Sequence, residues 1–455
     1  MSFTKTSDKK AEGAAKTEPK VKKIKGAEKT LAFQVPKGMH DVLPADQPWW
    51  NRTRRAVEEM AATYNFLRID TPILESAELF QRGIGEETDV VQKEMYMLKT
   101  KGGDVLALRP EGTAPLVRAY LQHGMSRLGQ PLRLYYEGPF FRHERPQAGR
   151  YRQLTQAGFE IIGGPNDPIF DAQVILVFDR LLKYVKIGDV VLKINSIGCR
   201  ICRPFYKRQL QTYYKRHEQK LCADCQRRLN ANVLRLLDCK NENCKPFKEH
   251  APNFLDKLCS ACSQHFKGVL EYLDELGISY SLDNQLVRGL DYYNRTVFEM
   301  MVQQGPGAEL GALLGGGRYD YLFEELGGRL TPAVGGAVGY ERLIEAMKAQ
   351  KVNLPAKNQK RVFVIYVGEL AKRKALKLTE QLRSAGLAVT EAFGKESLRA
   401  QLKIADKEGF SLALILGQKE IYEESVILRD LRNSLQENIS MSKMVDEIKK
   451  RLKEK

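Results

Sequence analysis

At 455 residues, 43% apolar and 28% charged, the chain is too long for one compact core and has the composition of an ordinary globular protein of roughly two to four domains. Its apolar runs are strand-length, which excludes membrane-spanning helices, and no apolar stretch near the start reads as a secretory signal, so the expected compartment is the cytoplasm. The net charge of +17 permits a nucleic-acid partner, but a solvated lysine-rich surface that aids solubility meets the same observation.

Residues 1–32 hold nine Lys and four Asp or Glu with few large apolar side chains, which leaves +12 for the rest of the chain. Such a segment cannot bury enough surface to offset its ordering entropy and reads as a disordered basic tail. A catalytic domain is expected over 33–350. It opens with a helix at 48–64, where Trp49, Val57 and Met60 recur at helical spacing. Short strands follow at 66–70 and 106–109, then a helix at 115–123. The stretch 134–142 is aromatic and apolar, 143–152 is polar with Pro146 and Gly149, and 153–162 is extended again. That pattern is an antiparallel hairpin with a long arginine-rich loop.

Residues 199–275 are dominated by Leu, Lys, Arg and Glu at helical periods and read as an inserted helical module. Strands resume at 297–302. Residues 311–345 carry nine glycines, read as loops around short apolar runs. The polar stretch 351–360, with Pro355, reads as a linker. Beyond it, strands at 362–367, 387–392 and 411–416 alternate with helices at 370–385 and 396–407. They predict a small α/β domain over 361–455 with a partly parallel sheet.

All eight cysteines fall in 64 residues as four close pairs: Cys199 with Cys202, Cys222 with Cys225, Cys239 with Cys244, and Cys259 with Cys262. Disulfides are not expected in a reducing cytoplasm. Thiolates at two-residue spacing can occupy adjacent corners of a zinc tetrahedron, so one or two structural sites of four thiolates are chemically reasonable. Reduced, partly buried thiols in a helical insert are the alternative.

The hairpin carries the strongest chemical signal. On strand 153–162, side chains two apart share a face, so Gln156, Gly158 and Glu160 point the same way. A polar, acidic stripe with a glycine floor on an otherwise apolar strand suits the bottom of a small-molecule pocket. Arg142 enters from the opposite strand, and the loop adds Arg145, Arg150 and Arg152. Guanidinium forks match phosphate and carboxylate oxygens in bidentate geometry. The competing view is an exposed hairpin with solvated arginines.

The run Phe141-Arg142-His143-Glu144-Arg145-Pro146-Gln147, followed by Gly149-Arg150-Tyr151-Arg152-Gln153, resembles motif 2 of class II aminoacyl-tRNA synthetases in its bacterial histidyl form. Four more segments are similar to that family: Leu108-Arg109-Pro110-Glu111-Gly112-Thr113, Leu286-Val287-Arg288-Gly289-Leu290-Asp291-Tyr292-Tyr293, Gly315-Gly316-Gly317-Arg318-Tyr319-Asp320, and the motif-3-like stretch from Pro332 to Arg342. Lys37-Gly38-Met39-His40-Asp41 resembles the usual opening, and the likeness covers nearly everything from Phe33 onward.

The resemblance implies an α+β catalytic domain with a mostly antiparallel sheet, a helical insertion and a C-terminal α/β anticodon-binding domain. It implies activation of L-histidine with ATP and Mg2+, and transfer to tRNA(His) by a homodimer with no membrane attachment. Arg142 and Arg288 match the catalytic arginines, and Glu111, Gly112, Thr113, Gln156, Glu160, Tyr292 and Tyr293 match histidine-binding positions. Arg142, Arg145, Arg288 and Arg342 match ATP-binding positions. The competing reading is a silent paralogue that regulates histidine biosynthesis or senses uncharged tRNA. Such a protein would be expected to lose the loop arginines, the Arg288 segment or the C-terminal domain, and all three are here. Met441-Ser442-Lys443-Met444 only faintly echoes a class I loop and reads as the start of an amphipathic C-terminal helix.

Overall fold

The computed structural model describes residues 33–147, 149–354 and 361–453. The expected basic tail and residues 355–360 of the expected linker lie outside these. The chain divides into two compact units, 1–350 and 351–455. No helix among the described residues is long and apolar enough to cross a membrane.

The first unit begins with α1 (Gln47–Thr63), β1 (Leu67–Arg68), β2 (Leu74–Ser76) and α2 (Ala77–Ile84). Next come β3 (Tyr96–Lys99), β4 (Val105–Leu108) and α3 (Thr113–Gln122), then the hairpin β5 (Leu132–Phe141) and β6 (Gln153–Ile162). Helix α4 (Ile169–Tyr184) and strand β7 (Val190–Ser196) lead into the insertion, built of α5 (Cys202–Lys215), α6 (Ala223–Ala231), α7 (Lys245–Glu249), α8 (Ser260–Glu275) and 3-10 turns. The chain returns through β8 (Tyr280–Leu282), β9 (Asn294–Val302), β10 (Ala312–Arg318), α9 (Leu322–Glu325), β11 (Ala333–Gly339) and α10 (Tyr340–Ala349).

Eight strands form one sheet in the order β1-β5-β6-β11-β10-β9-β7-β8. Only the outer pairs, β1 with β5 and β7 with β8, run parallel. The mostly antiparallel catalytic sheet expected from the sequence is therefore present. The period of two decides which face does what. On β6, Phe159 packs against Phe178 of α4 and Phe66, with ring centroids 5.6 and 5.1 Å apart. The alternate residues Gln156, Gly158 and Glu160 turn to the other face.

The glycines of 311–345 correct the sequence reading. Six of the nine lie inside strands, Gly315, Gly316 and Gly317 in β10 and Gly335, Gly336 and Gly339 in β11, at the centre of the sheet. Their role is close approach: a Cβ on Gly316 would collide with the Gly335 carbonyl of the neighbouring strand. Composition alone reads such runs as turns, because the packing that requires bare backbone is tertiary.

The insertion is helical as expected, yet it is no detached appendage. Tyr206, Leu210, Leu229 and Leu236 share one buried cluster with Leu286, Val287, Tyr292 and Phe323 of the sheet domain.

Arg318, at the end of β10, is about as buried as a charge can be, at 1% exposure. Its guanidinium pairs with Asp171 of α4 and with Asp320 (3.1 Å), and donates to the Asp167 carbonyl at 3.0 Å. Burial alone would raise the Asp171 carboxyl, but Arg318 and His265 hold it well below the usual carboxylate range. Arg318→Met would leave two buried carboxylates without their cation. We expect a loss of about 3–5 kcal/mol in urea unfolding; a loss below 1 kcal/mol would show that water takes over the pairing.

In the second unit, β12 (Arg361–Tyr366), β13 (Ala388–Glu391) and β14 (Leu412–Leu416) run parallel, connected by α11 (Glu369–Ser384) and α12 (Leu398–Lys407). After α13 (Gln418–Tyr422), the antiparallel strands β15 (Ser425–Asp430) and β16 (Gln436–Ser440) extend the sheet, and α14 (Met444–Lys453) follows. Val362 and Val364 join the cluster under α11 and α14, while Phe363 and Ile365 join Ala405 and Phe410 on the other face. Burial on both faces explains the unbroken apolar runs of β12 and β14. The partly parallel sheet and the amphipathic last helix match the sequence reading, which did not resolve β15 and β16.

Candidate active site

On the face of the sheet opposite α4, a cavity of 290 Å³ opens over β6, β9, β10 and β11. Glu111, Thr113, Arg142, Gln156, Arg288, Tyr292, Tyr293 and Arg342 all line it, so most of the residues singled out in the sequence converge here.

Arg142 follows the last residue of β5. Its backbone N–H bonds the Arg152 carbonyl at 2.9 Å, closing the neck of the loop. Its side-chain Nε donates to the Pro110 carbonyl at 2.8 Å, which fixes the guanidinium against the segment entering α3. Arg150 lines the cavity too, paired with Glu144 at 3.2 Å. Arg145, expected among the phosphate-facing residues, is exposed and outside the lining; the loop brings Arg150 over the cavity instead.

Glu111 precedes α3, and its carboxylate accepts the backbone N–H groups of Thr113 (2.6 Å) and Ala114 (2.8 Å) and the Tyr292 hydroxyl (3.2 Å). Burial raises its carboxyl in spite of these donors. Gly112, which is not in the lining, leaves room for the Tyr136 ring, which a Cβ there would overlap. The Thr113 hydroxyl donates to Glu160 at 3.1 Å.

Glu160 shares a face with Gln156 as predicted, but at another depth. Gln156 lines the cavity. Glu160 is fully buried one layer behind, accepting from Thr113 and, at 2.7 Å, from Tyr319. Burial pushes its carboxyl up to about 8. Gly335, its register partner on β11, has no room for a Cβ beside that carboxylate.

Arg288 enters from the opposite wall. It pairs with Glu299 of β9, and its guanidinium carbon lies 5.8 Å from the centre of the Tyr293 ring. Gly315 keeps space for it, since a Cβ there would overlap the guanidinium. The insertion grips this segment: Arg203 donates to the Tyr293 carbonyl, Arg235 to the Gly289 carbonyl, and Asn232 to Asp291 at 2.8 Å. Arg342 of α10 bonds the Gly149 carbonyl at 3.2 Å and the Ala312 carbonyl, tying the hairpin loop to β10.

Sequence reasoning missed Glu144, Glu299, Glu341 and Tyr136 in the lining. Glu299 had a usable signal, being the lone acid on a largely apolar strand, as Glu160 is on β6. Tyr136 had none, because a tyrosine on an aromatic strand reads as core. Away from the cavity, none of the eight cysteines is in a disulfide, and they gather into two sets of four, Cys199, Cys202, Cys259 and Cys262, and Cys222, Cys225, Cys239 and Cys244.

An antiparallel sheet with bare-backbone central strands, approached by arginines from a hairpin loop and from a distant segment, is the architecture of class II aminoacyl-tRNA synthetases. Residues 38–343 match the family described as histidyl-tRNA synthetase, and residues 361–451 match the anticodon binding domain. A histidine–tRNA ligase of Dehalococcoides mccartyi is 45% identical over 421 residues, spanning 92% of this chain and 100% of that protein. One from Halothermothrix orenii is 44% identical over 423 residues, with the same coverage. The apo histidyl-tRNA synthetase of S. aureus superposes with a TM-score of 0.77 at 32% identity, covering 92% of this chain and 100% of that one. The chain belongs to the histidyl-tRNA synthetase family.

Proposed function

We infer that the chain is a histidine–tRNA ligase, which activates L-histidine with ATP and transfers it to tRNA(His), releasing pyrophosphate and AMP. The observation that carries this reading is the pair of arginines, Arg142 and Arg288, which come from distant segments and are both fixed in the lining of one cavity. The histidine carboxylate attacks the α-phosphorus, a bond forms from carboxylate oxygen to phosphorus, and pyrophosphate leaves with the electrons of the broken P–O bond. Negative charge grows on the α-phosphate oxygens. Two guanidiniums held in place beforehand stabilise it without reorganising, and binding both reactants in one cavity removes most of the entropic barrier.

In this reading Glu111 and Thr113 hold the α-ammonium group, since a carboxylate with four lone-pair positions can accept it beside the three donors it already has. Gln156, Tyr292 and Tyr293 border the imidazole, and Glu160 supplies the acceptor behind it. Arg342 packs by the adenine, and Arg150 takes the phosphate-facing place foreseen for Arg145. A bound Mg2+ would supply charge neutralisation on the distal phosphates; Glu144 and Glu299, two cavity carboxylates, have the hard-oxygen chemistry it prefers. The second unit would read the anticodon, and the enzyme would act in the cytoplasm as a homodimer.

The test is ATP–pyrophosphate exchange with each of the twenty amino acids. Exchange dependent on histidine alone is expected. No exchange from folded, tRNA-binding protein would favour a regulator over a ligase.

A further inference from the structure

We propose that the insertion holds two structural Zn2+ ions, one at its root on Cys199, Cys202, Cys259 and Cys262, and one in its body on Cys222, Cys225, Cys239 and Cys244. Within each set the four Sγ atoms all lie within 4.8 Å of one another. A tetrahedral ion with Zn–S bonds of about 2.3 Å places its thiolates roughly 3.8 Å apart. The root cluster shows this edge between Cys199 and Cys202 (3.8 Å), Cys199 and Cys259 (3.8 Å) and Cys202 and Cys262 (3.9 Å); the body cluster shows it between Cys222 and Cys239 (3.8 Å). Two thiols in contact reach such a distance anywhere in a core. Four sulfurs drawn mutually together enclose a hole the size of one ion. All eight are free, so the pairs are not disulfides.

Backbone geometry supplies a second, independent observation. N–H groups point at the sulfurs: Cys199 to Cys202 Sγ (3.3 Å), Ile201 to Cys199 Sγ (3.4 Å), Cys222 to Cys244 Sγ (3.3 Å) and Asn241 to Cys239 Sγ (3.5 Å). Such donors favour the thiolate over the thiol, the form a metal needs. Cys222 and Cys259 also stand at the N-terminal ends of α6 and α8, where the helix dipole acts in the same sense. A lone tetrahedral ion on four thiolates points to zinc, whereas an iron–sulfur cluster spreads its thiolates over several irons and holds them further apart.

Topology assigns each ion a task. The root site joins the chain where it leaves β7 to the chain where it enters α8, closing the insertion at its neck. The body site fixes α6 and the 3-10 turn Val233–Asp238, which carry Arg228, Asn232 and Arg235. Asn232 and Arg235 are the side chains that hold Gly289 and Asp291 beside Arg288. The body zinc is therefore a positioning element for the Arg288 segment, an inference that rests on the ligase reading, whereas zinc binding itself does not.

Protein purified without added metal and washed with a weak chelator should contain two zinc per chain by elemental analysis, and a mercurial should release both as it titrates the thiols. Cys222→Ser with Cys225→Ser should lower the content to one zinc and increase hydrogen exchange in residues 286–293. Cobalt exchanged into either site should show the visible bands of tetrahedral thiolate coordination. Less than one zinc per chain with all eight thiols freely titrating, or iron in place of zinc, would overturn the proposal whatever the variants do. Two zinc with unchanged exchange in residues 286–293 would keep the sites and remove the positioning role.

Discussion

Arg288→Ala is expected to lower histidine-dependent pyrophosphate exchange by about 100- to 1,000-fold, the usual effect of deleting one preorganised charge donor at an acyl- or phosphoryl-transfer site. The side chain is positioned from three directions: Glu299 pairs with it, the Tyr293 ring flanks it, and Gly315 leaves space that any larger residue would fill. A charge so restrained reorganises little when the α-phosphate becomes more negative. Arg288→Lys retains the charge but loses the planar fork, and should fall between Ala and wild type. Because Arg288 and Glu299 keep 19% and 21% of their side chains exposed, Glu299 still reaches water when its partner is removed. The Ala variant should therefore stay folded, at a cost of about 1–2 kcal/mol. A rise in KM with kcat unchanged would mean that Arg288 binds substrate without favouring the transition state. Exchange within threefold of wild type would remove it from the chemistry.

Its three supports also show how far the sequence could be read. Arg288 and Arg142 were visible as motif members and do meet over one cavity. The β5–β6 hairpin was legible because period-two burial and a polar arginine loop are local properties, and Gln156 and Glu160 do share a face. The depth of Glu160 was not legible, since whether a strand acid reaches a cavity or stops behind a threonine depends on what α3 and β10 place over it. That Arg150 and not Arg145 lines the cavity depends in the same way on how the loop folds back. The β10 and β11 glycines were misread as loops because glycine signals turns locally, while its use in closely approaching strands is set by partners far away in sequence. Three of the four cysteine pairs announced two-residue spacing, but the sorting of the pairs into two tetrads, one of them joining pairs 60 residues apart, needed the helices of the insertion.

Glu160→Gln should separate stability from function. In the wild type the carboxyl is fully buried, and burial raises it from its ordinary value of 4.5 to about 8. Between those values the folded chain keeps a proton that the unfolded chain has released, so the slope of stability with pH is negative there. The contribution of the protonated carboxyl is fully present below about 4.5 and is lost as the pH rises to about 8. A glutamine never ionises, and it can satisfy the same two neighbours by accepting from one hydroxyl and donating to the other, because the Thr113 and Tyr319 hydroxyls can turn. The variant should thus gain on the wild type as the pH goes from 5 to 9, by roughly 4 kcal/mol in urea unfolding. Histidine activation should move the opposite way. Above about pH 8, where the wild-type carboxyl is ionised, an imidazole N–H loses a carboxylate acceptor to an amide in a dry pocket, and kcat/KM for histidine should fall by about 100-fold or more; below that pH the neutral acid and the amide offer the same single acceptor oxygen, and the fall should be smaller. Equal stability of the two proteins at pH 5 and pH 9 would show that the carboxyl is not raised in the folded state. Unchanged kcat/KM for histidine would remove Glu160 from imidazole recognition and leave it as a brace between Thr113 and Tyr319.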